Sequence, residues 1–272
     1  MTVSVVPIPG SPRRRQGPFL AAGFVSLSIL YLVLLSSGLD TFLPPPAPIY
    51  CPANEACRRP DLFAFQFVAW FCILYCGLVG YREWPRLQHL NTPEARLYAY
   101  HPPTERLVAC NLLFQFFDFC ISWTITEQAT PVMLTHHCLA AVVSASALHG
   151  GLLGYYAVFF LGLTEVSSLF LVWVDLGTYF PPEPGSMLDL FVNLGMGSLF
   201  AVSFFYYRVF LWWPLSLRIW KDTWYMAHKS TKLDRPLWVL CLFCVVNVPL
   251  GLMQLYWSTV VLREARTVLL GT

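Results

Sequence analysis

The stretch Pro131-Val132-Met133-Leu134-Thr135-His136-His137-Cys138-Leu139-Ala140-Ala141-Val142-Val143-Ser144-Ala145-Ser146-Ala147-Leu148-His149 decides the fold. It is apolar apart from small hydroxyls and three histidines, and it contains no Asp, Glu, Lys or Arg. At about 1.5 Å of rise per residue it is long enough to cross a hydrocarbon core of ~30 Å. His136 and His137 then lie inside the membrane, where an ionisable group is costly and marks a functional site with partners to be found.

Working outward, the whole chain fits the same solvent. Of its 272 residues 57% are hydrophobic and 12% charged, about half the charged share of a soluble domain. A net charge of +2 and no long basic tract give no footing for nucleic acid. The 10 Trp, 13 Tyr and 21 Phe suit aromatic belts at membrane interfaces.

The residues read as an all-α, multi-pass helical bundle of about seven transmembrane helices. After a polar tail (1–17) with Arg13-Arg14-Arg15, the run Phe19–Gly38 is read as a retained first helix within 18–43. The prolines at 44, 45, 46 and 48 end it. Leu62–Gly80, Leu107–Ile125, Pro131–His149, Leu152–Val174, Met187–Tyr207 and Leu237–Val260 follow, then a short tail at 263–272. The very short connections at 125–131 and 149–152 make their flanking helices antiparallel neighbours. With seven spans, 13 of the 17 Lys and Arg fall on the side of the N-terminus and 4 on the other, which puts the N-terminus in the cytosol.

Of nine cysteines, seven lie in apolar runs and are read as small hydrophobes, the pair Cys241 and Cys244 included. Cys51 and Cys57 share a polar loop that the charge count places on the lumenal side. They are expected to pair if that compartment is oxidising.

The partners of the histidines are sought by spacing and depth. Asn111, Gln115, Asp118 and Ser122 fall four, three and four apart, one face of the third helix. Glu165, Ser168 and Asp175 repeat the pattern on the fifth, Asn193 belongs to the sixth, and Asn247 and Gln254 to the seventh. Counting along each helix puts Asp118, Glu165, Asn193, Gln254 and the histidines in the half of the membrane opposite the basic loops. Asp175 and His149 are read as interfacial. Arg208, followed by Trp212 and Trp213, is read as a snorkelling and aromatic anchor. One histidine pair is too few for a membrane di-iron centre, and no metal is expected.

These residues resemble a known family, the TLC domain, which includes the ceramide synthases. The histidine pair of its fourth span resembles Met133-Leu134-Thr135-His136-His137, and its acidic-Ser segment is similar to Gly162-Leu163-Thr164-Glu165-Val166-Ser167-Ser168. Phe117-Asp118, Phe204-Phe205-Tyr206-Tyr207-Arg208 and Leu255-Tyr256-Trp257 resemble further family patterns, in order, over about residues 60–262. Ceramide synthases carry two aspartates three apart after the histidines. Aligning the second with Glu165 puts Gly162 where the first belongs. No homeobox-like segment precedes the domain, and the charge count gives the opposite orientation. The chain is therefore closer to the TLCD and CLN8 branch. The resemblance implies acyl-lipid metabolism or membrane-lipid homeostasis and residence in the endoplasmic reticulum.

The expected chemistry is acyl transfer from a thioester, acyl-CoA for example, to a lipid amine or hydroxyl. Imidazole can take the acceptor's proton or carry the acyl group. His137 is the favoured base, with Ser144 seven residues on and Ala140 and Ala141 leaving room, and His136 is the alternate. Asp118 or Glu165 would orient the ring. Asn111, Gln115, Ser144, Ser168, Asn193 and Gln254 are the candidate substrate contacts. Membrane lipids are the expected partners, and no cofactor is called for. The alternative is a non-catalytic lipid-binding, regulatory or trafficking protein. A receptor or transporter lacks its sequence marks.

Overall fold

The computed structural model describes residues 16–51, 57–229 and 237–270, and among these helix is the only regular secondary structure, with no strand. Seven long helices run Gln16–Ser36, Pro60–Leu87, Pro102–Ser122, Pro131–Gly150, Gly154–Tyr179, Met187–Lys229 and Leu237–Leu270. Six of them are long and apolar enough to cross a membrane. The exception is the third, Pro102–Ser122, which carries the polar face. The tail at 1–15 and the basic residues Lys232 and Arg235 lie outside the described residues.

Local chemistry sets several helix starts. Pro60, Pro102 and Pro131 stand at first-turn positions, where a missing N–H costs nothing. The Thr130 hydroxyl accepts from the Met133 amide at 3.3 Å and caps the fourth helix. Gly151, at φ 58°, ends that helix in the left-handed region that a glycine occupies freely. Several helices outrun their apolar cores. The sixth continues past the expected end at Tyr207 to Lys229 as an amphipathic extension, and the seventh past Val260 to Leu270, because a segment can stay helical without being uniformly hydrophobic.

Packing closes six helices into a ring: second to third, third to fourth, fourth to seventh, seventh to sixth, sixth to fifth, and fifth back to second. The first helix lies outside, against the second and third. The sixth meets the seventh mainly from residue 205 onward, while its earlier part rests on the fifth.

The start of the fifth helix fills the ring on its basic side. Residues 154–165 are all buried, and Tyr155, Tyr156 and Phe159 are among the largest side chains fully withdrawn from solvent. Gly80 of the second helix makes this possible. A Cβ there would overlap the backbone of Gly162 and Leu163. A Cβ on Gly162 would in turn stand 3.0 Å from Gly80 Cα and 3.2 Å from the Cys76 carbonyl oxygen. A carboxylate has no room at 162, which gives a packing reason for the departure from the two-aspartate pattern.

Polar staples fix both ends. On the basic side Arg96, on the short helix Pro93–Tyr98, holds Asp222 with two bonds of 2.7 Å, and the Tyr156 hydroxyl donates to the same carboxylate. That pairing holds the Arg96 guanidinium above its ordinary pKa. On the opposite side Cys51 and Cys57 are bonded, with Cα atoms 5.7 Å apart. Beside them Arg59 grips Glu127 through Nη1 and Nη2 at 2.6 and 2.7 Å and also binds Asp61. The Glu127 hydrogen bonds raise the Arg59 pKa, and the Arg59 hydrogen bond lowers that of Glu127.

Candidate functional site

Where the buried plug of the fifth helix ends, the ring encloses a small cavity of about 30 Å³, room for one or two waters. Its wall includes Asn111 and Gln115 on the third helix, His136 and Ala140 on the fourth, and Phe160, Leu161, Thr164 and Glu165 on the fifth. Arg208 and Trp212 on the sixth and Asn247 and Gln254 on the seventh add its polar side, and Val143, Phe243 and Leu250 its remaining apolar surface. Two stretches of this wall are wound as π-helix, Phe159–Leu163 and Phe205–Phe210. Such turns offer displaced carbonyls and re-aimed side chains, and they recur at functional sites. Asn111 Nδ2 donates to one of those carbonyls, Leu161 O, at 3.3 Å.

The two histidines take different positions. His137 is 6% exposed and uses both ring nitrogens within the bundle: Nδ1 lies 2.7 Å from Gln115 Oε1 and Nε2 3.4 Å from Asp118 Oδ1. Ser122 donates to the same Asp118 oxygen at 2.9 Å. His136 lines the cavity, and its buried Nδ1 has no partner. Its ring stands edge-on to His137 at 5.2 Å and to Trp257 of the seventh helix at 5.1 Å. The structure thus gives the cavity position to His136 and makes His137 the ring behind it.

Of the other expected residues, Asn111, Gln115, Glu165 and Gln254 line the cavity. Ser144 stands behind the wall, its Oγ 2.9 Å from both Asn111 Oδ1 and Ala140 O. Ser168 accepts from Arg208 Nη2 at 2.7 Å. Asn193 is not part of the group. It is exposed and donates to Asp189 on its own helix at 2.6 Å. Equal depth does not bring a residue to the same face. Asp175 is bonded to Gln66 Nε2 at 3.2 Å, away from the cavity.

The sequence reading missed Arg208. Instead of snorkelling to an interface it is 7% exposed and spans the cavity floor. Its Nε donates to Ser167 Oγ at 2.8 Å and to Thr164 O at 3.2 Å, and its Nη1 to Gln254 Oε1 at 3.4 Å. Nη2 also faces Glu165 Oε2 at 3.5 Å. Trp212 was misread with it, for it is 4% exposed and lines the cavity rather than anchoring an interface. The signal available was the close spacing of Thr164, Ser167 and Ser168, a row of acceptors along one helix with no use in lipid.

Four buried polar atoms without a partner belong to residues of this one wall: His136 Nδ1, Trp212 Nε1, Asn247 Oδ1 and Gln254 Nε2. Buried polar groups are nearly always satisfied, so four of them on residues of one wall mark a place built for something other than the chain itself. Among the described residues no group of three or more His, Cys, Asp or Glu is arranged to hold a metal ion.

A family model, the TLC domain, matches residues 62–263. The chain belongs to the TLC domain family and is a multi-pass integral membrane protein with a role in a lipid setting. No curated protein and no solved structure matches it.

Proposed function

We propose that the cavity is the polar centre of a lipid acyltransferase in which His136 is the base. One observation carries this reading: His136 lines the cavity with a buried imidazole nitrogen that has no partner, while the neighbouring ring is fixed by Gln115 and Asp118. Neutral imidazole can accept a proton near physiological pH. As the amine or hydroxyl of the acceptor lipid bonds to the acyl carbon of a thioester, His136 Nδ1 takes its proton. The C–S bond then breaks, and the thiol leaves with that proton. His137 orients the pair from behind.

The acyl chains lie in the hydrocarbon between the early part of the sixth helix and the seventh, which pack little against each other. Leu194, Leu199 and Val202 leave a large share of their surface exposed along the sixth. The bonded pair Cys51 and Cys57 fits an oxidising lumen, as in the endoplasmic reticulum.

A second reading, a lipid-binding protein without turnover, is favoured by Gly162, whose packing on Gly80 excludes the carboxylate of the two-aspartate pattern. Lipid profiling of cells expressing wild type or His136→Ala at matched membrane levels separates the two. A defined acyl-lipid class that rises with wild type alone supports transfer. Equal profiles sink it.

A further inference from the structure

The unpartnered atoms of the cavity differ in kind, and their kinds describe a ligand. Gln254 is fully buried on the seventh helix. Its Oε1 faces Arg208 Nη1, and a guanidinium only donates, so the amide oxygen must lie on that side. Its NH2 group is thereby turned away from Arg208, and Nε2 finds no acceptor. Trp212 can only donate as well. Its ring is held edge-on to Phe160 at 4.8 Å, and its Nε1 lies over Gly251, where a Cβ would come within 2.9 Å. That nitrogen too has no acceptor. On the other side of the balance, Asn247 Oδ1 lacks a donor, and His136 Nδ1, which accepts in one neutral tautomer, has no partner.

We infer that Gln254 Nε2 and Trp212 Nε1 receive the carbonyl oxygen of an acyl ester, thioester or amide, with the attacking N–H or O–H group set between Asn247 Oδ1 and His136 Nδ1. This extends the acyl-transfer reading and names the atoms that hold the reacting carbonyl. A buried N–H left without an acceptor is costly, so two on residues lining one small cavity favour a ligand that brings an oxygen. The free volume holds only water or the linkage itself, and an entering carbonyl takes over the bonds of the water it displaces. A phosphate fits less well, because the one cation in the wall, Arg208, is already engaged by Ser167, Ser168 and the Thr164 carbonyl.

During transfer the carbonyl oxygen gains negative charge as the acceptor atom bonds to the acyl carbon. The two N–H groups stabilise it where no water competes. When the C–S bond breaks, the electron pair goes to sulfur, the proton held by His136 follows it, and the C=O bond is restored.

The test uses the full chain in lipid nanodiscs with a long-chain fatty acid amide as a non-transferable probe and the matching hydrocarbon as control. Thermal unfolding is followed for wild type, Trp212→Phe and Gln254→Glu. The first variant keeps the ring packing, and the second keeps an oxygen toward Arg208. The amide, and not the hydrocarbon, is expected to raise the wild-type midpoint, with about tenfold weaker binding in each variant. Acyl transfer in each variant is expected to lose roughly 10² in kcat, with a smaller change in KM.

An amide that leaves wild type unshifted, or that shifts both variants as it shifts wild type, overturns the inference. If only one variant folds, that one decides. The two ideas fail separately. Transfer that survives both substitutions but not His136→Ala keeps the enzyme and removes the carbonyl site. Amide binding that needs Gln254 and Trp212 in a protein without transfer keeps the site and removes the enzyme.

Discussion

His137 Nδ1 lies 2.7 Å from Gln115 Oε1, and the other nitrogen of the same ring faces Asp118 at 3.4 Å. With both positions taken inside the bundle, His137 has nothing left to offer a substrate, while the adjacent ring lines the cavity and leaves Nδ1 without a partner. Two residues with the same side chain therefore carry different duties. Adjacent positions on a helix point about 100° apart, which is enough to separate a wall from the layer behind it.

The duties separate in mutants. His136→Ala is expected to leave protein level and unfolding temperature near wild type and to lower product by about 10²–10⁴, the usual worth of a positioned base. His137→Ala strands Gln115 and Asp118 in the interior and is expected to cost about 1–3 kcal/mol of stability. Product formation at matched protein level, with thermal unfolding of the same samples, checks both. The assignment fails if His137→Ala is stable and inactive while His136→Ala remains active.

The contact between Gly80 and Gly162 predicts a backbone limit. Alanine at 80 meets the backbone of the fifth helix, which cannot rotate away as a side chain does. Gly80→Ala is expected to cost about 1–3 kcal/mol or more, as overpacking does. Gly162→Asp is expected to cost at least as much, since it adds an unpaired carboxylate beside the Cys76 carbonyl. Gly195→Ala is the control. Its nearest neighbour would be at 3.7 Å, an ordinary contact. Unfolding midpoints in detergent decide the matter, and a Gly80→Ala variant as stable as the control contradicts the close approach.

Arg208 and Glu165 form a buried pair, 9% and 10% exposed in their side chains. Breaking such a pair from one side leaves a charge without compensation and costs about 3–5 kcal/mol, whereas replacing both partners by apolar groups is often neutral. Arg208→Met is expected to destabilise strongly and Arg208→Met with Glu165→Met to recover much of the loss. A double-mutant cycle on unfolding free energies measures the coupling. If the two single losses simply add, the pair contributes nothing as a pair.

The seven helices were legible because about twenty apolar residues in succession have few other uses, and even the weak third helix showed its polar face through four residues at helical spacing. What escaped was direction around each axis and the partners across it. Arg208 follows a full apolar run and precedes two tryptophans, the local pattern of an interface, and only the row Thr164, Ser167 and Ser168 on another helix draws it inward. Asn193 shared the right depth and pointed the wrong way. Which histidine faces the cavity depends on the roll of the fourth helix against the third and seventh, and no single segment records that roll.

The staple of Arg59 and Glu127 makes stability depend on pH in one direction. The Arg59 hydrogen bond holds the Glu127 carboxyl below the usual glutamate value of 4.5 in the folded chain. A group with a depressed folded pKa stabilises fully above its unfolded value, and the contribution is lost as pH falls through the folded value. Between pH 7 and 5 the midpoint should therefore hold steady with respect to this pair, and below about 4.5 it should fall as Glu127 takes up a proton. Glu127→Gln removes the titrating group while keeping an acceptor for Arg59. The variant is expected to be less stable than wild type at pH 7 and to approach it as the pH drops toward 3, other carboxylates contributing equally to both. Thermal unfolding of the two proteins across that range reads the difference directly. A gap that stays constant from pH 7 to 3 means that the carboxylate of Glu127 adds no charge-dependent stability, and that its two bonds to Arg59 serve only to set the geometry of the loop beside Cys51 and Cys57.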